Sequence, residues 1–239
     1  MKARLDTALV TRARRAAGWV SLEGGNGVGK TYLAARAAAL LGERCLHLQE
    51  LPDSPADQIP GQVVAALHAV GDMWLRTGRP RTETLLLAAL QVHRYEALPP
   101  HASHRMVLED RGPHSVAVYQ SVILTDPEDG DDGALRTAQS ILAQIAAWRP
   151  LPDTAVLVVD DPDRRLARWR RRLGRPPSAD ELDLMARAVH LYDLLERTSP
   201  GTFQIVDRRE LHEDACITAI VDACRAAARS GEEPTCQST

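Results

Sequence analysis

The stretch Leu22-Glu-Gly-Gly-Asn-Gly-Val-Gly-Lys-Thr-Tyr-Leu33 sets four glycines and a lysine at a point where one kind of secondary structure gives way to another. The residues before it, Trp19-Val-Ser-Leu-Glu23, form a short apolar run of strand character. Those after it, Leu33-Ala-Ala-Arg-Ala-Ala-Ala-Leu40, have helical character. Between them, Gly24 to Thr31 fits the pattern GxxxxGK(S/T), and the strand–loop–helix setting is the one in which that pattern has a physical meaning. Glycines let the loop curl so that successive N–H groups face inward, and the helix N-terminus adds roughly half a positive charge. The ligand expected there is the polyphosphate of ATP, held by Gly24, Asn26, Gly27, Val28, Gly29, Lys30, Thr31 and Tyr32. Lys30 is placed to reach the β- and γ-phosphates, and the Thr31 hydroxyl to ligate Mg²⁺.

The rest of the composition limits what else the chain can do. Its 239 residues suffice for one full core, with at most a small appendage. A formal net charge of −3 gives no global attraction to nucleic acid or to an anionic membrane, so any anion site is local. The cysteines Cys45, Cys216, Cys224 and Cys236 show no metal-like or CxxC spacing, which points to thiols in a reducing compartment. The first residues, MKARLDTALVTRARRAAGW, carry charges throughout and lack the apolar segment of a signal peptide. No run approaches the roughly 18 apolar residues that cross a membrane. A cytoplasmic protein is expected.

Short apolar runs alternate with longer helical patterns, as in a parallel sheet with crossover helices. Strands are expected at Trp19–Glu23, Arg44–Gln49, Arg105–Glu109, Thr154–Asp160 and Phe203–Val206. Helices are expected at Lys30–Leu41, Ala56–Arg76, Arg81–Leu98, Pro113–Ile123, Ala134–Ala147, Asp163–Leu173, Ala179–Arg197 and His212–Ser230. The pattern predicts an α/β fold of three layers, with five parallel strands between helices. Residues 1–16 form an N-terminal extension, 17–230 the domain, and 231–239 a polar tail too short of apolar groups to order itself.

A second motif follows the third strand: Leu108-Glu-Asp-Arg-Gly-Pro-His-Ser-Val-Ala-Val-Tyr-Gln120. Together with Glu23–Tyr32, it resembles the thymidylate kinases, whose patterns EGxDGxGKTT and DRYxxSxxAYQ it follows in register. The segment from Pro80 to Ala89 is similar to that family's PRTEALLFAAxR, and Arg149 to Asp153, Asp161-Pro162 and Arg168xxxArg172 resemble its approach to an arginine lid. The likeness runs from about residue 17 to 225. It implies a P-loop kinase fold with a lid near 162–178, ATP and Mg²⁺ as cofactors, and a homodimer. It also implies that Arg111 clamps the acceptor phosphate or the phosphoryl group in flight, and that Asp110 positions Mg²⁺ or the acceptor. Arg168 and Arg172 would close over ATP, while Ser115, Tyr119 and Gln120 line the acceptor pocket.

On a helix, Arg164, Arg168, Arg171, Arg172 and Arg175 gather opposite an apolar stripe of Leu166, Trp169 and Leu173, so an anionic partner is expected. ATP is the candidate nearest at hand; with Trp169 as the one stacking platform, a nucleic-acid strand is disfavoured. Asp161 followed by Pro162 reads as a helix cap.

The departures from the family cluster on the acceptor side. The first loop has Asn26 for aspartate, and Gln49-Glu50 stands where an arginine–glutamate pair ends strand two. Leu87 replaces the phenylalanine that would stack on thymine, Leu90 replaces an aspartate, and Gln91 and Ala65 replace arginines. Stacking alone is worth roughly 1–3 kcal/mol, and a charge-assisted bond a similar amount. Ordinary thymidylate is therefore disfavoured. Two acceptor classes stay open: a different nucleoside monophosphate or related small metabolite, or a hydroxyl compound whose proton goes to Glu50, since deoxynucleoside kinases carry their catalytic carboxylate at that strand end. A nucleotide-hydrolysing switch that transfers nothing is a third reading. Trp74 is available for stacking, although packing in a helix core accounts for it better.

Overall fold

The computed structural model describes residues 17–55, 57–69, 72–99, 102 and 105–232. The expected extension 1–16 lies outside them, as does the tail from residue 233. Five parallel strands form one sheet in the order β2-β3-β1-β4-β5: β1 Gly18–Glu23, β2 Cys45–Leu48, β3 Met106–Asp110, β4 Thr154–Val159 and β5 Phe203–Asp207. The central strand β1 is buried along its length, which is why its run is apolar rather than alternating.

Helices α1 (Lys30–Leu41) and α8 (Glu213–Glu232) pack on one face through Leu33, Ala37, Ile217 and Ile220. On the other face lie α4 (Pro113–Leu124), α5 (Gly130–Ala146) and α7 (Ala179–Thr198), with Val118, Ile141, Leu191 and Tyr192 in their shared core. The remaining helices are α2 (Ile59–His68), α3 (Pro80–Glu96) and α6 (Pro162–Leu173). The α/β fold with its five-stranded sheet is as expected, and strand ends agree to within about a residue.

One helix differs. The pattern predicts a helix over Ala56–Arg76, but α2 ends at His68. Farther along, Asp72 Oδ1 accepts from the backbone N–H of Trp74 (2.7 Å) and of Arg76 (3.3 Å). That local bond competes with helix continuation. Leu75 then takes a left-handed φ of 62°, and the chain turns so that Trp74 faces inward instead of lying on a helix.

The order of the strands reverses about β1, so the C-terminal ends of β1 and β3 open a crevice, the place where ligands bind in open α/β sheets. The loop 24–29 leaves from one of those ends and Asp110-Arg111 from the other.

Candidate active site

The loop after β1 curls as the glycines predict. Gly27 has φ 83° and Gly29, the N-cap of α1, has φ 93°. Both are also pressed from outside: a Cβ on Gly27 would lie 2.2 Å from the Arg165 carbonyl, and one on Gly29 2.2 Å from Arg208 Nη1. Only glycine fits at either place. Lys30 is buried, and its ammonium donates to the carbonyls of Gly24 (2.8 Å) and Gly25 (2.9 Å). Loss of water and the nearby Arg111 cation push its pKa down to about 7. Val28 is buried in the α1–α8 core. Thr31 sits exposed on the first turn of α1, and the Tyr32 hydroxyl donates to Glu213 Oε1 at 2.6 Å, toward α8.

Glu23 ties this loop to the β3 end. It is fully buried and accepts from Gly112 N (3.0 Å), Ser115 Oγ (2.6 Å) and Tyr192 Oη (3.1 Å). Ser115 is therefore held by a carboxylate as well as lining a cavity beside it. Beyond Glu23, Arg111 adopts φ 59°, the second left-handed residue other than glycine among those described. Its guanidinium donates to Asn26 Oδ1 in the loop, lies 2.5 Å from Glu50 Oε1, and stands 5.3 Å over the Tyr119 ring. Strain at a non-glycine residue persists where the surroundings over-determine it, as they do here.

Glu50 receives Arg111 on one oxygen and Arg172 Nη2 (3.5 Å) on the other. Burial opposes its charge, but Arg111, Lys30 and Arg172 outweigh burial and hold the carboxyl below its usual range. It is ionised at neutral pH. Next to it, both oxygens of fully buried Asp110 lack a hydrogen-bond partner among the described residues.

Of the residues expected on the acceptor side, Leu87, Gln91, Ser115, Tyr119 and Gln120 converge on a cavity of about 130 Å³. Leu51, Met73, Trp74 and Leu87 supply apolar wall, Gln91 and Gln120 the polar groups, and Glu50 with Arg111 the mouth. Tyr119 also lines it, stacked on Trp74 at 5.1 Å between centroids. Gln91 Oε1 accepts from Arg149 Nη1 (3.2 Å), and Gln120 Oε1 from Thr84 Oγ1 (2.8 Å). Gln49 does not join them. It is exposed and borders a separate cleft, and its carbonyl accepts from Arg94.

Behind Gln91 lies a buried charge network that the sequence reading lacked. Glu109 is fully buried and accepts from Arg149 Nη1 and Nη2 (3.2 Å each) and from Trp19 Nε1 (2.9 Å). Arg94 Nη1 is 3.2 Å from the same carboxylate and donates to the Arg111 carbonyl at 3.1 Å. Arg94 thus holds the backbone of both strand ends, at Gln49 and at Arg111, whose neighbouring side chains Glu50 and Arg111 pair with each other.

Over the loop lies α6, capped by Asp161, whose Oδ1 accepts from Asp163 N and Arg164 N (3.0 Å each), with Pro162 in its first turn, as the sequence predicts. Trp169 buries the apolar stripe. Arg168 Nε donates to Gly27 O at 2.6 Å, and Arg168 also pairs with Asp160 at the end of β4. Asp160, Arg165 and Arg208 are loop neighbours that sequence reasoning missed; a carboxylate ending an apolar strand was the available signal for the first.

No protein-family model matches this chain, and no curated protein matches it in sequence. Its fold is similar to the crystal structure of thymidylate kinase from Ehrlichia chaffeensis, with a TM-score of 0.59 at 14% identity. The match covers 88% of this chain and all of that one. At that identity the likeness speaks to fold alone: the chain shares the α/β architecture of a thymidylate kinase. Among the described residues no helix is long and apolar enough to cross a membrane, and no cluster of three or more His, Cys, Asp or Glu stands ready for a metal.

Proposed function

We propose that the protein is an ATP-dependent phosphotransferase that moves the γ-phosphate onto a small metabolite other than ordinary thymidylate. The observation that carries this reading is the bond from Arg111 to Asn26: the phosphate loop and the Arg111–Glu50 pair face one cleft. Residues 17–230 act as the kinase domain, with α6 and the segment to 178 as its lid.

On the donor side, Gly24 to Thr31 cradle the phosphates, and Lys30 exchanges the Gly24 and Gly25 carbonyls for phosphate oxygens. Arg168 makes the same exchange from Gly27, and Arg172 closes from its partner Glu50. Thr31 and Asp110 would hold Mg²⁺; the unpartnered, buried Asp110 carboxylate suits a cation that keeps most of its ligands from water and phosphate. Bound there, the ion neutralises charge on the transferring group.

The acceptor enters the pocket walled by Leu87, Trp74 and Tyr119 and is read by Gln91 and Gln120. Among the residues lining that pocket the one arginine, Arg111, is already matched by Glu50. A dianionic monophosphate acceptor calls for surplus positive charge, whereas a hydroxyl acceptor calls for an ionised carboxylate. The Glu50 geometry favours the hydroxyl. As its oxygen bonds to the γ-phosphorus, the bond to the β-phosphate oxygen breaks, ADP leaves, and the proton passes to Glu50. A homodimer is a further part of the proposal, with the α3 face bearing exposed Leu85 and Leu86 as its contact.

The test is ADP release from Mg·ATP against nucleosides, nucleoside monophosphates and hydroxylated metabolites. Release that depends on one acceptor, with a phosphorylated product, supports the reading. Slow hydrolysis that no acceptor stimulates would instead identify a nucleotide-dependent switch.

A further inference from the structure

The turn from β5 to α8 begins with Arg208, to which the sequence pattern assigns no role. Its backbone N–H donates to Val159 O at 3.0 Å, stitching the turn to the end of β4. The side chain crosses to the phosphate loop, where Nη1 donates to Val28 O at 2.7 Å. That same nitrogen is the atom that a Cβ on Gly29 would strike, so the guanidinium lies flush on the loop backbone.

Its charge has little local compensation. A peptide carbonyl is neutral, and the carboxylate of Asp160 is 3.9 Å from Nε. Asp160 already serves Arg164 at 3.3 Å and Arg168 more closely. Three guanidinium groups around one carboxylate leave positive charge in excess beside a loop shaped for anions. Of the five N–H donors a guanidinium carries, one is committed to the loop carbonyl. The arrangement repeats that of Lys30 and Arg168, each of which also donates to loop carbonyls.

We propose that Arg208 is a phosphate-binding residue of the donor site. On arrival of a polyphosphate it trades the Val28 carbonyl for a phosphate oxygen, so the chain is gripped from α6 on one side and from the β5–α8 turn on the other. The inference rests on the donor half of the proposed function, that the loop binds polyphosphate; it requires nothing of the acceptor.

Isothermal titration of the full chain with two probes tests it: the magnesium complex of a non-hydrolysable ATP analogue, and inorganic tripolyphosphate. Arg208→Gln should weaken both by about 10- to 100-fold, the loss expected for one charge-assisted bond. Arg208→Lys keeps a point charge without the fork and should recover part of the loss. Thermal unfolding shows whether each variant is folded; should the glutamine variant not fold, a several-fold weakening of both probes by the lysine variant is the expected result. Unchanged tripolyphosphate affinity in the folded variants overturns the proposal, and so does weakening of the ATP analogue alone, which would put Arg208 on the nucleoside part. If the wild-type chain binds neither probe, the donor-site reading itself falls and the proposal with it.

Discussion

The two halves of the cleft differ in how their polar groups are partnered. Around the phosphate loop, Lys30, Arg168 and Arg208 each donate to a neutral backbone carbonyl, and Asp160 is shared among three arginines. Around the acceptor pocket the polar side chains are partnered by other side chains: Glu50 by Arg111 and Arg172, Gln91 by Arg149 and Gln120 by Thr84. The first half holds spare positive charge and suits a polyanion. In the second the carboxylate and cations already answer one another, so its selectivity comes from shape and hydrogen bonds. Binding of ATP and choice of acceptor are in this account separable properties, and mutations should separate them.

The largest effects are expected on the donor half and at its boundary with the acceptor half. Lys30→Met should lower turnover by about 10²- to 10³-fold, the scale of one preorganised charge donor, as measured by ADP release. Glu50→Gln tests the boundary between halves: a general base contributes about 10²- to 10⁴-fold, so turnover should fall by that order while the affinity for Mg·ATP is retained. Near-normal turnover would remove Glu50 from the chemistry and favour a monophosphate acceptor.

Glu109→Gln strikes the network behind the acceptor half. It strands Arg149 and Arg94 in the core, and breaking a buried ion pair costs about 3–5 kcal/mol, readable by denaturant unfolding. Trp74→Ala should raise the acceptor KM by about 10- to 100-fold, the loss of one stacking partner, and leave the KM for ATP unchanged. Equal effects on both substrates would mean that the halves are not separate.

The smallest effect is on protons. With its pKa pushed down to about 7, Lys30 binds fewer protons in the folded chain than in the unfolded one, so its contribution makes stability rise with pH between about 7 and its ordinary value near 10.5. Phosphate at the loop restores the ammonium. Calorimetry at about pH 8.5 in buffers of different ionisation enthalpy should therefore show uptake of up to about one proton on binding the ATP analogue. Lys30→Arg should abolish it.

Much of the donor half was legible in the sequence because its signal is local. A strand, a glycine loop and a helix occupy one short stretch, and Gly24 to Tyr32 lie where that stretch predicts. The sheet was legible for the same reason: each strand is a compact apolar run. The acceptor half was legible only as a list of departures. Leu87, Gln91, Ser115, Tyr119 and Gln120 do meet at one cavity, but Gln49 faces another cleft, since residues adjacent along a strand point to opposite sides. Trp74 enters the pocket from a turn closed by Asp72, where periodicity alone would continue a helix. Glu23 anchors residues far along the chain, as do Glu109 with Arg149 and Arg208 with Val28; such pairings carry no local pattern.

The central claim is that one cleft brings the phosphate loop and the Arg111–Glu50 pair to the same phosphoryl group. A crystal structure with magnesium and a non-hydrolysable ATP analogue tests it most directly. The account predicts the γ-phosphate about 3 Å from the Lys30 ammonium on one side and from the Arg111 guanidinium on the other, with the Glu50 carboxylate opening onto it. Polyphosphate bound away from the Gly24–Thr31 loop, or a γ-phosphate turned away from Arg111, would contradict it.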